Sequence, residues 1–358
     1  MNKALIDIRD VDRRFYAERL RDWLPERIID IHTHVYRASD YRPGVPARGE
    51  GRSVTWPARV AADNQIGDLI ETYSLMLPGK RVTPLIFANI PQDDNLDRVN
   101  AYVAECSRKH GFPSLIFSDP AWSAQELEER IAEGGFLGAK SYLSLAAPCI
   151  PANEIRIFDF FPRHQLEVHD SHGWIVMLYI PRSGRLRDPL NLAQLLEIER
   201  DFPNLRLVVA HVGRAYCDED VGNAFDVLAG TRHMCFDFCA NTNDRVFERL
   251  LRCVGPQRVL FGTDMPILRM RMKRITRKGR YVNLVPKGLH GDVSDDPNMA
   301  ETDGAEAEKL TFFLYEELDA FRRAAERAGL ARPDIEDVFG NNALRLLTGA
   351  GWKGDDQT

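Results

Sequence analysis

Near the start of the chain, Asp30-Ile31-His32-Thr33-His34 sets two imidazoles two residues apart at the end of an apolar run. Alternate side chains of a strand share a face, so His32 and His34 point the same way, with ring nitrogens within reach of one cation. A second apolar run, Leu207-Val208-Val209-Ala210, ends on His211, and a third, Val259-Leu260-Phe261-Gly262-Thr263, ends on Asp264. A carboxylate directly after an apolar strand is costly to bury alone and wants a cation, a histidine or amide donors nearby. Asp264 is therefore a candidate both to ligate a metal and to take a proton from its water. Each feature has a structural alternative: a hydrogen-bonded core histidine for His32, His34 or His211, and an Asx turn for Asp264. Three strand ends carrying such groups are a stronger statement than any one of them.

Eight strands are available to position these groups. They are Arg27–His34, Val82–Ile90, Ser114–Ser118, Leu137–Leu143, Ile175–Ile180, Leu205–Val212, Met234–Cys239 and Arg258–Gly262. Helical patterns follow most of them: Asn95–Lys109, Gln125–Glu133, Pro189–Phe202, Asp218–Ala229 and Asp244–Val254. Alternating strands and helices imply a parallel sheet, and eight such units favour a closed (β/α)8 TIM barrel. No GxGxxG turn follows the first strand to argue for an open doubly wound sheet. The expected organisation is one α/β domain over residues 27–349, preceded by a helical extension over 1–26 and followed by a polar tail over 350–358. Long segments follow the first strand (Arg37–Pro57) and the eighth (Met265–Glu306), where a barrel carries its substrate loops. A long helix over Glu306–Gly329 and a short one over Ile335–Leu347 complete the reading.

The 358 residues, 44% hydrophobic and 28% charged, suit a globular domain. A net charge of −6 argues against a nucleic-acid partner and favours a small-molecule substrate. The charged first residues lack a signal-peptide core, and no stretch reaches the ~18 apolar residues of a membrane span. A cytoplasmic protein with no membrane partner is expected, with a homodimer as the default assembly. Six scattered cysteines without a CxxC pair read as reduced thiols, although Cys235 and Cys239 fall on one face of a strand.

The pieces DIHTH, AHVG, FGTDMP and Asn341-Asn342-Ala343-Leu344-Arg345-Leu346-Leu347, in this order over residues 27–347, resemble the amidohydrolase superfamily. The resemblance is to its amidohydrolase-2, or amidohydrolase-related, branch. It implies that His32, His34 and Asp264 help hold one divalent ion, zinc or sometimes manganese. It also implies that His211 positions water or polarises substrate. Hydrolases, lactonases and non-oxidative decarboxylases all belong to this branch. One departure stands out: where many members carry a fifth-strand histidine ligand, this chain has Tyr179. A neutral phenol with a pKa near ~10 is a poor zinc ligand, so three protein ligands and water remain. A metal-free lactonase subgroup of the superfamily also has a tyrosine there, and so resembles this chain in that respect.

Lys140, on the fourth strand, is read as a cation aimed at an acidic substrate, or as paired with a neighbouring carboxylate. Arg182 and Arg214, just beyond strands five and six, suit a carboxylate-bearing substrate, as does Arg185. Tyr179 is placed with them in the substrate site. Seven basic residues among the twelve of Arg269–Arg280 read as a solvated loop or a subunit contact balanced by the acidic Asp292–Glu308 stretch. The expected function is metal-dependent hydrolysis of a lactone, ester or amide bond in a small acid. Asp264 would shuttle the proton and His211 would stabilise the developing oxyanion. The rivals are a non-oxidative decarboxylase, a metal-free lactonase and, less favoured, a binding barrel without activity.

Overall fold

Every one of the eight apolar runs contains a strand in the computed structural model, which describes residues 5–40, 57–89 and 96–354. The strands are β1 (Arg27–His34), β2 (Arg81–Phe87), β3 (Ile116–Phe117), β4 (Gly138–Lys140), β5 (Ile175–Leu178), β6 (Arg206–Val209), β7 (Cys235–Asp237) and β8 (Val259–Leu260). β1 pairs with β2, and β3 through β8 form a six-stranded parallel sheet in chain order. Single parallel bridges join the two sheets: Ile86 to Ser114 at one seam and Thr33 to Met265 at the other. Ile31 N–H to Phe261 O (2.9 Å) and Asp264 N–H to His32 O (2.8 Å) tie the second seam. The chain is thus an α/β TIM barrel, with its ladders interrupted where β1–β2 meets the rest.

Alternation along the strands sorts the core into two layers. Ile29, Ile31, Leu85, Leu115, Ile175, Met177, Val208 and Leu260 fill the lumen. Ile28, Ile86, Ile116, Ala139, Val176, Leu178, Leu207, Val209 and Val259 face the surrounding helices. At the N-terminal end of the strands, Ala343, Leu347 and Ala350 close the lumen, and Trp352 packs beside them.

The helices begin where capping chemistry allows. Asp188 accepts from Leu190 and Asn191 N–H ahead of Pro189–Asp201, and Asn243 caps Asp244–Val254 before Gly255 ends it. Two expected helices are divided. The Asp218–Ala229 pattern becomes a 3₁₀ turn, Asp218–Asp220, and a helix, Ala224–Leu228, separated at Gly222, which has a φ of +53°. The Glu306–Gly329 pattern becomes Gly304–Glu308 and Phe313–Ala328. Between them, Thr311 O accepts from Met272 N–H (2.9 Å) and Phe313 N–H donates to Met270 O (2.7 Å). Those tertiary bonds take the backbone groups that a continuous helix would have used.

The long segment after β8 has its own structure. β9 (Lys273–Arg277) and β10 (Arg280–Pro286) form an antiparallel hairpin, and β11 (Met299–Thr302) pairs in parallel with β10. The basic run is therefore not a solvated loop. Arg269 and Arg271 are buried and Arg274 is half-buried, while Lys273, Arg277, Lys278 and Arg280 face solvent. Arg269 donates to Asn64 Oδ1, and Asn64 in turn donates to His34 O (2.6 Å), so this insert buttresses β1. Most of the expected long segment after β1 lies outside the described residues. Among the described residues, no helix is long and apolar enough to cross a membrane.

Candidate active site at the C-terminal mouth

A register shift between Asp30 and Thr33 puts a bulge in β1. It lets Ile31 pack in the lumen and the next residue, His32, also turn inward, re-aiming the pair His32 and His34 at the mouth. Asp30, fully buried beneath them, accepts from Thr263 Oγ1 (2.5 Å), Thr263 N–H (2.9 Å), Tyr73 OH (2.7 Å) and His32 N–H (3.1 Å). It thus ties β1 to the segment that carries Asp264. Burial pushes the Asp30 carboxyl up to about 7, against the pull of those hydrogen bonds.

Close approach in the same place requires Gly262. A Cβ added there would lie 2.8 Å from the His32 Cβ and 3.3 Å from the Cys239 Cβ. Gly262→Ala is expected to destabilise the protein by about 1–3 kcal/mol, the usual range for overpacking. A denaturation midpoint equal to that of the wild type would show that the contact relaxes freely.

The ring orientations follow from the partner of each Nδ1. His32 Nδ1–H donates to Asp237 Oδ2 (2.9 Å) and His34 Nδ1–H to Ala88 O (2.8 Å), leaving both Nε2 lone pairs to face the mouth. Asp264 Oδ1 lies 3.2 Å from His34 Nε2 and 3.5 Å from His32 Nε2. Burial, reinforced by the Lys140 charge, pushes His32 and His34 down. Two neutral imidazole lone pairs and a carboxylate thus converge, and such acceptors repel one another unless a cation lies among them. This is the donor chemistry of a divalent-ion site, and the three ligand atoms lie within 4.8 Å of one another. Lys140 enters the same space. Its Nζ donates to His32 Nε2 at 2.6 Å and sits 4.1 Å above the Phe87 ring. Burial pushes the Lys140 ammonium down to about 8, opposed by Asp264, Cys239 and Asp237.

His211 stands on the far side of His32, with ring centroids 5.0 Å apart. Its N–H donates to Asp237 Oδ1 (2.7 Å) and its Nδ1–H to Cys239 O (3.1 Å), so Nε2 is again an acceptor. Burial pushes this imidazole down to about 4. His211 and Asp264 both have left-handed backbone, with φ of +58° and +53°, as do Val212, Arg214 and Ala240 beside them. For non-glycine residues that conformation costs of order 1–3 kcal/mol each, and such residues cluster at functional sites.

A cavity of about 170 Å³ opens above these groups. His34, Lys140, His211 and Asp264 form its floor, and Arg185, Arg214, Arg274 and the phenols of Tyr142, Tyr179, Tyr216 and Tyr281 contribute to its walls. Arg185 is already paired with Asp220 (2.5 Å). Arg214 and Arg274 are held by backbone carbonyls, those of Pro181 (2.9 Å) and Ala240 (2.6 Å) among them, and neither forms an ion pair among the described residues. Arg214 Nε is buried with no acceptor. A larger cavity of about 530 Å³ lies at the other end of the ring, around Arg27, Arg81 and Trp352, and none of these site groups lines it.

The structure therefore gathers His32, His34, His211, Asp264, Lys140, Tyr179 and Arg214 into one place. Arg182 does not join them, because its Nε donates to both oxygens of Asp188 (3.1 Å each). His169 and His172 lie on the Arg163–His172 helix away from the mouth, His172 stacked on Trp174 and His169 edge-on to it. Cys235 and Cys239 do not act together. The Cys239 thiol donates to Asp237 Oδ1 (2.9 Å) beneath the site, while Cys235 contacts His233 O. Sequence reasoning did not place Asp237, Cys239 or Arg274 in the site. Asp237 carried a usable signal, a carboxylate inside the apolar run Cys235-Phe236-Asp237-Phe238, the same reasoning that singled out Asp264. Arg274 carried none, since the hairpin alone brings it to the mouth.

No curated protein matches the sequence. Several solved structures share the fold at low identity. A zinc-bound amidohydrolase from Burkholderia multivorans is 16% identical, with a TM-score of 0.56 over 90% of this chain and 99% of that one. A probable 2-pyrone-4,6-dicarboxylic acid hydrolase from Acinetobacter baumannii, with citric acid bound, is 13% identical, with a TM-score of 0.52 over 90% and 99%. A 2,6-dihydroxybenzoate decarboxylase from Rhizobium is 13% identical, with a TM-score of 0.53 over 91% and 100%. The Amidohydro_2 family model, described as amidohydrolase, matches residues 29–274, most of the barrel and the whole of the site from His32 to Arg274. On that match this chain belongs to the amidohydrolase family and is an enzyme of that superfamily.

Proposed function

We propose that this enzyme hydrolyses a lactone, ester or amide bond in a small carboxylate-bearing substrate. The observation that carries the reading is Asp264 facing a cavity whose wall holds Arg214 and Arg274, two guanidinium groups that pair with no carboxylate among the described residues. A substrate carboxylate meets that need with charge-assisted hydrogen bonds, and Arg214 Nε is a buried donor ready to make one. Asp264 takes a proton from the attacking water and returns it to the leaving group.

Of the two parts expected of His211, positioning water and stabilising the oxyanion, the bonding of its ring supports the first. With its Nδ1–H given to Cys239 O, its Nε2 accepts a hydrogen bond and so orients the water. With an ion on His32, Lys140 is released from that ring, and its N–H groups are the donors suited to the oxyanion. His32, His34 and Asp264 would hold one divalent ion, zinc or manganese; zinc is the ion bound in the Burkholderia multivorans relative. When bound, such an ion supplies Lewis acidity and a more acidic water.

A second reading has support in the aromatic wall. Tyr142 and Tyr179, with ring centroids 4.7 Å apart, together with Tyr216 and Tyr281, suit a flat aromatic acid. Asp264 would then take a proton from water and pass it to the ring carbon as the bond to the substrate carboxylate breaks and carbon dioxide leaves, a non-oxidative decarboxylation that the decarboxylase among the structural relatives invites.

A panel of carboxylated lactones, esters and amides, with 2,6-dihydroxybenzoate beside them, decides between these readings. Acid release without carbon dioxide is expected; carbon dioxide from the benzoate alone would replace the first reading with the second. Arg214→Met is expected to raise KM for a carboxylated substrate about 10- to 100-fold, the equivalent of one charged hydrogen bond, with kcat little changed. An equal rise for an uncharged analogue would refute the assigned role of Arg214.

A further inference from the structure

The converging acceptors at the mouth need a cation, and the chain supplies one of its own. His32 has only one lone pair free for the site, on Nε2, because Nδ1–H is committed to Asp237. That lone pair accepts from Lys140 Nζ at 2.6 Å. A zinc ion would need the same lone pair at about 2.0–2.1 Å, and a second positive charge so close to an ammonium is repelled. The lysine is placed there by design of the strand. It ends β4, where its Cα pairs with Phe117 on one side and Met177 on the other, and its side chain is only 3% exposed. Among the described residues Lys140 forms no ion pair with a carboxylate, and its hydrogen-bond partner is His32. The fifth strand adds no imidazole to tip the balance, since Tyr179 lies against Tyr142 and under Arg214.

We propose that in the resting protein the Lys140 ammonium holds the position at His32 Nε2, so that a divalent ion enters only by displacing it. Lys140 thereby sets the metal affinity of the site, and the chain can keep its acceptor cluster intact without a metal. The inference rests on His32, His34 and Asp264 as the metal donors.

The test is calorimetric titration of zinc, at one fixed pH, into chelator-treated full-length wild type, Lys140→Met and Lys140→Met/His34→Ala. Lys140→Met is expected to bind one zinc about tenfold or more tighter than wild type, within the 10- to 100-fold range by which groups contacting a ligand change metal affinity. The double variant is expected to lose that site. Equal or weaker binding by Lys140→Met overturns the proposal and makes the lysine a bystander or a helper of the metal. Zinc binding by neither protein overturns it as well, and removes the donor reading on which it rests. Lys140→Gln serves the same comparison if the methionine variant does not fold. Affinity is read without turnover, so an inactive enzyme would count against the proposed hydrolysis and leave this result standing.

Discussion

Asp264→Asn is expected to lower kcat by about three orders of magnitude or more, at the upper end of what one proton-transferring group contributes. Asparagine has nearly the same shape, but it cannot take a proton from water. The fold should tolerate it. The backbone hydrogen bonds from Asp264 N–H to His32 O and from Ile267 N–H to Asp264 O do not depend on the side chain. The new amide can also donate to His34 Nε2, relieving the opposition of lone pairs that the carboxylate leaves at 3.2 Å. Loss of turnover with a melting temperature close to that of the wild type is therefore the expected pair of results. Retention of more than a tenth of kcat would remove Asp264 from proton transfer and leave it an electrostatic or metal-holding part. The substrate for this measurement is whichever member of the carboxylated panel turns over fastest.

The largest stability effect is expected at a distance from the chemistry. Arg271 makes two hydrogen bonds to Asp12, Nη1 to Oδ1 at 2.9 Å and Nη2 to Oδ2 at 2.6 Å, with side chains 4% and 0% exposed. Asp12 also accepts from Thr311 Oγ1 (2.7 Å) and Arg9 N–H (2.8 Å), while Arg271 donates to Leu310 O (2.7 Å) and Asp7 O (2.9 Å). This pair joins the N-terminal helix Asp10–Phe15 to the segment that leads into the β9–β10 hairpin. Arg271→Met removes the cation and leaves a buried carboxylate uncompensated, a change that costs about 3–5 kcal/mol. Asp12→Leu with Arg271→Met removes both charges and should recover much of that loss. Urea unfolding of the two variants checks this: a single variant within about 1 kcal/mol of wild type would mean that water reaches Asp12. Because Arg274 lies three residues beyond Arg271, loosening the anchor should also raise KM for a carboxylated substrate.

Much of the site was legible because its signals are local. A strand end is marked by an apolar run and a polar residue beyond it, and His32, His34, His211 and Asp264 each sit at such a boundary. The eight strands and their order follow from the same short-range pattern, since burying a run of apolar residues needs no knowledge of what packs against it. Helix ends fared less well where tertiary bonds compete, as at Thr311 and Phe313, whose backbone groups pair with Met272 and Met270.

What the sequence alone determined is therefore the barrel, the family motifs and the sharing of one face by His32 and His34. Only the tertiary structure decided which way that face turns, because the bulge in β1 depends on its pairing with β2 and on the seam with the segment after β8. It also decided which arginines reach the cavity. Arg182 is satisfied by Asp188 six residues away, while Arg274 is carried in by a hairpin with no mark in the strand pattern. Finally, it decided that Lys140 and His32, 108 residues apart, share one lone pair, because neither strand registers the other until the ring brings them together. Hydrophobic periodicity is a property of neighbours in the chain, whereas the tautomer, charge and partner of each buried group are properties of neighbours in space.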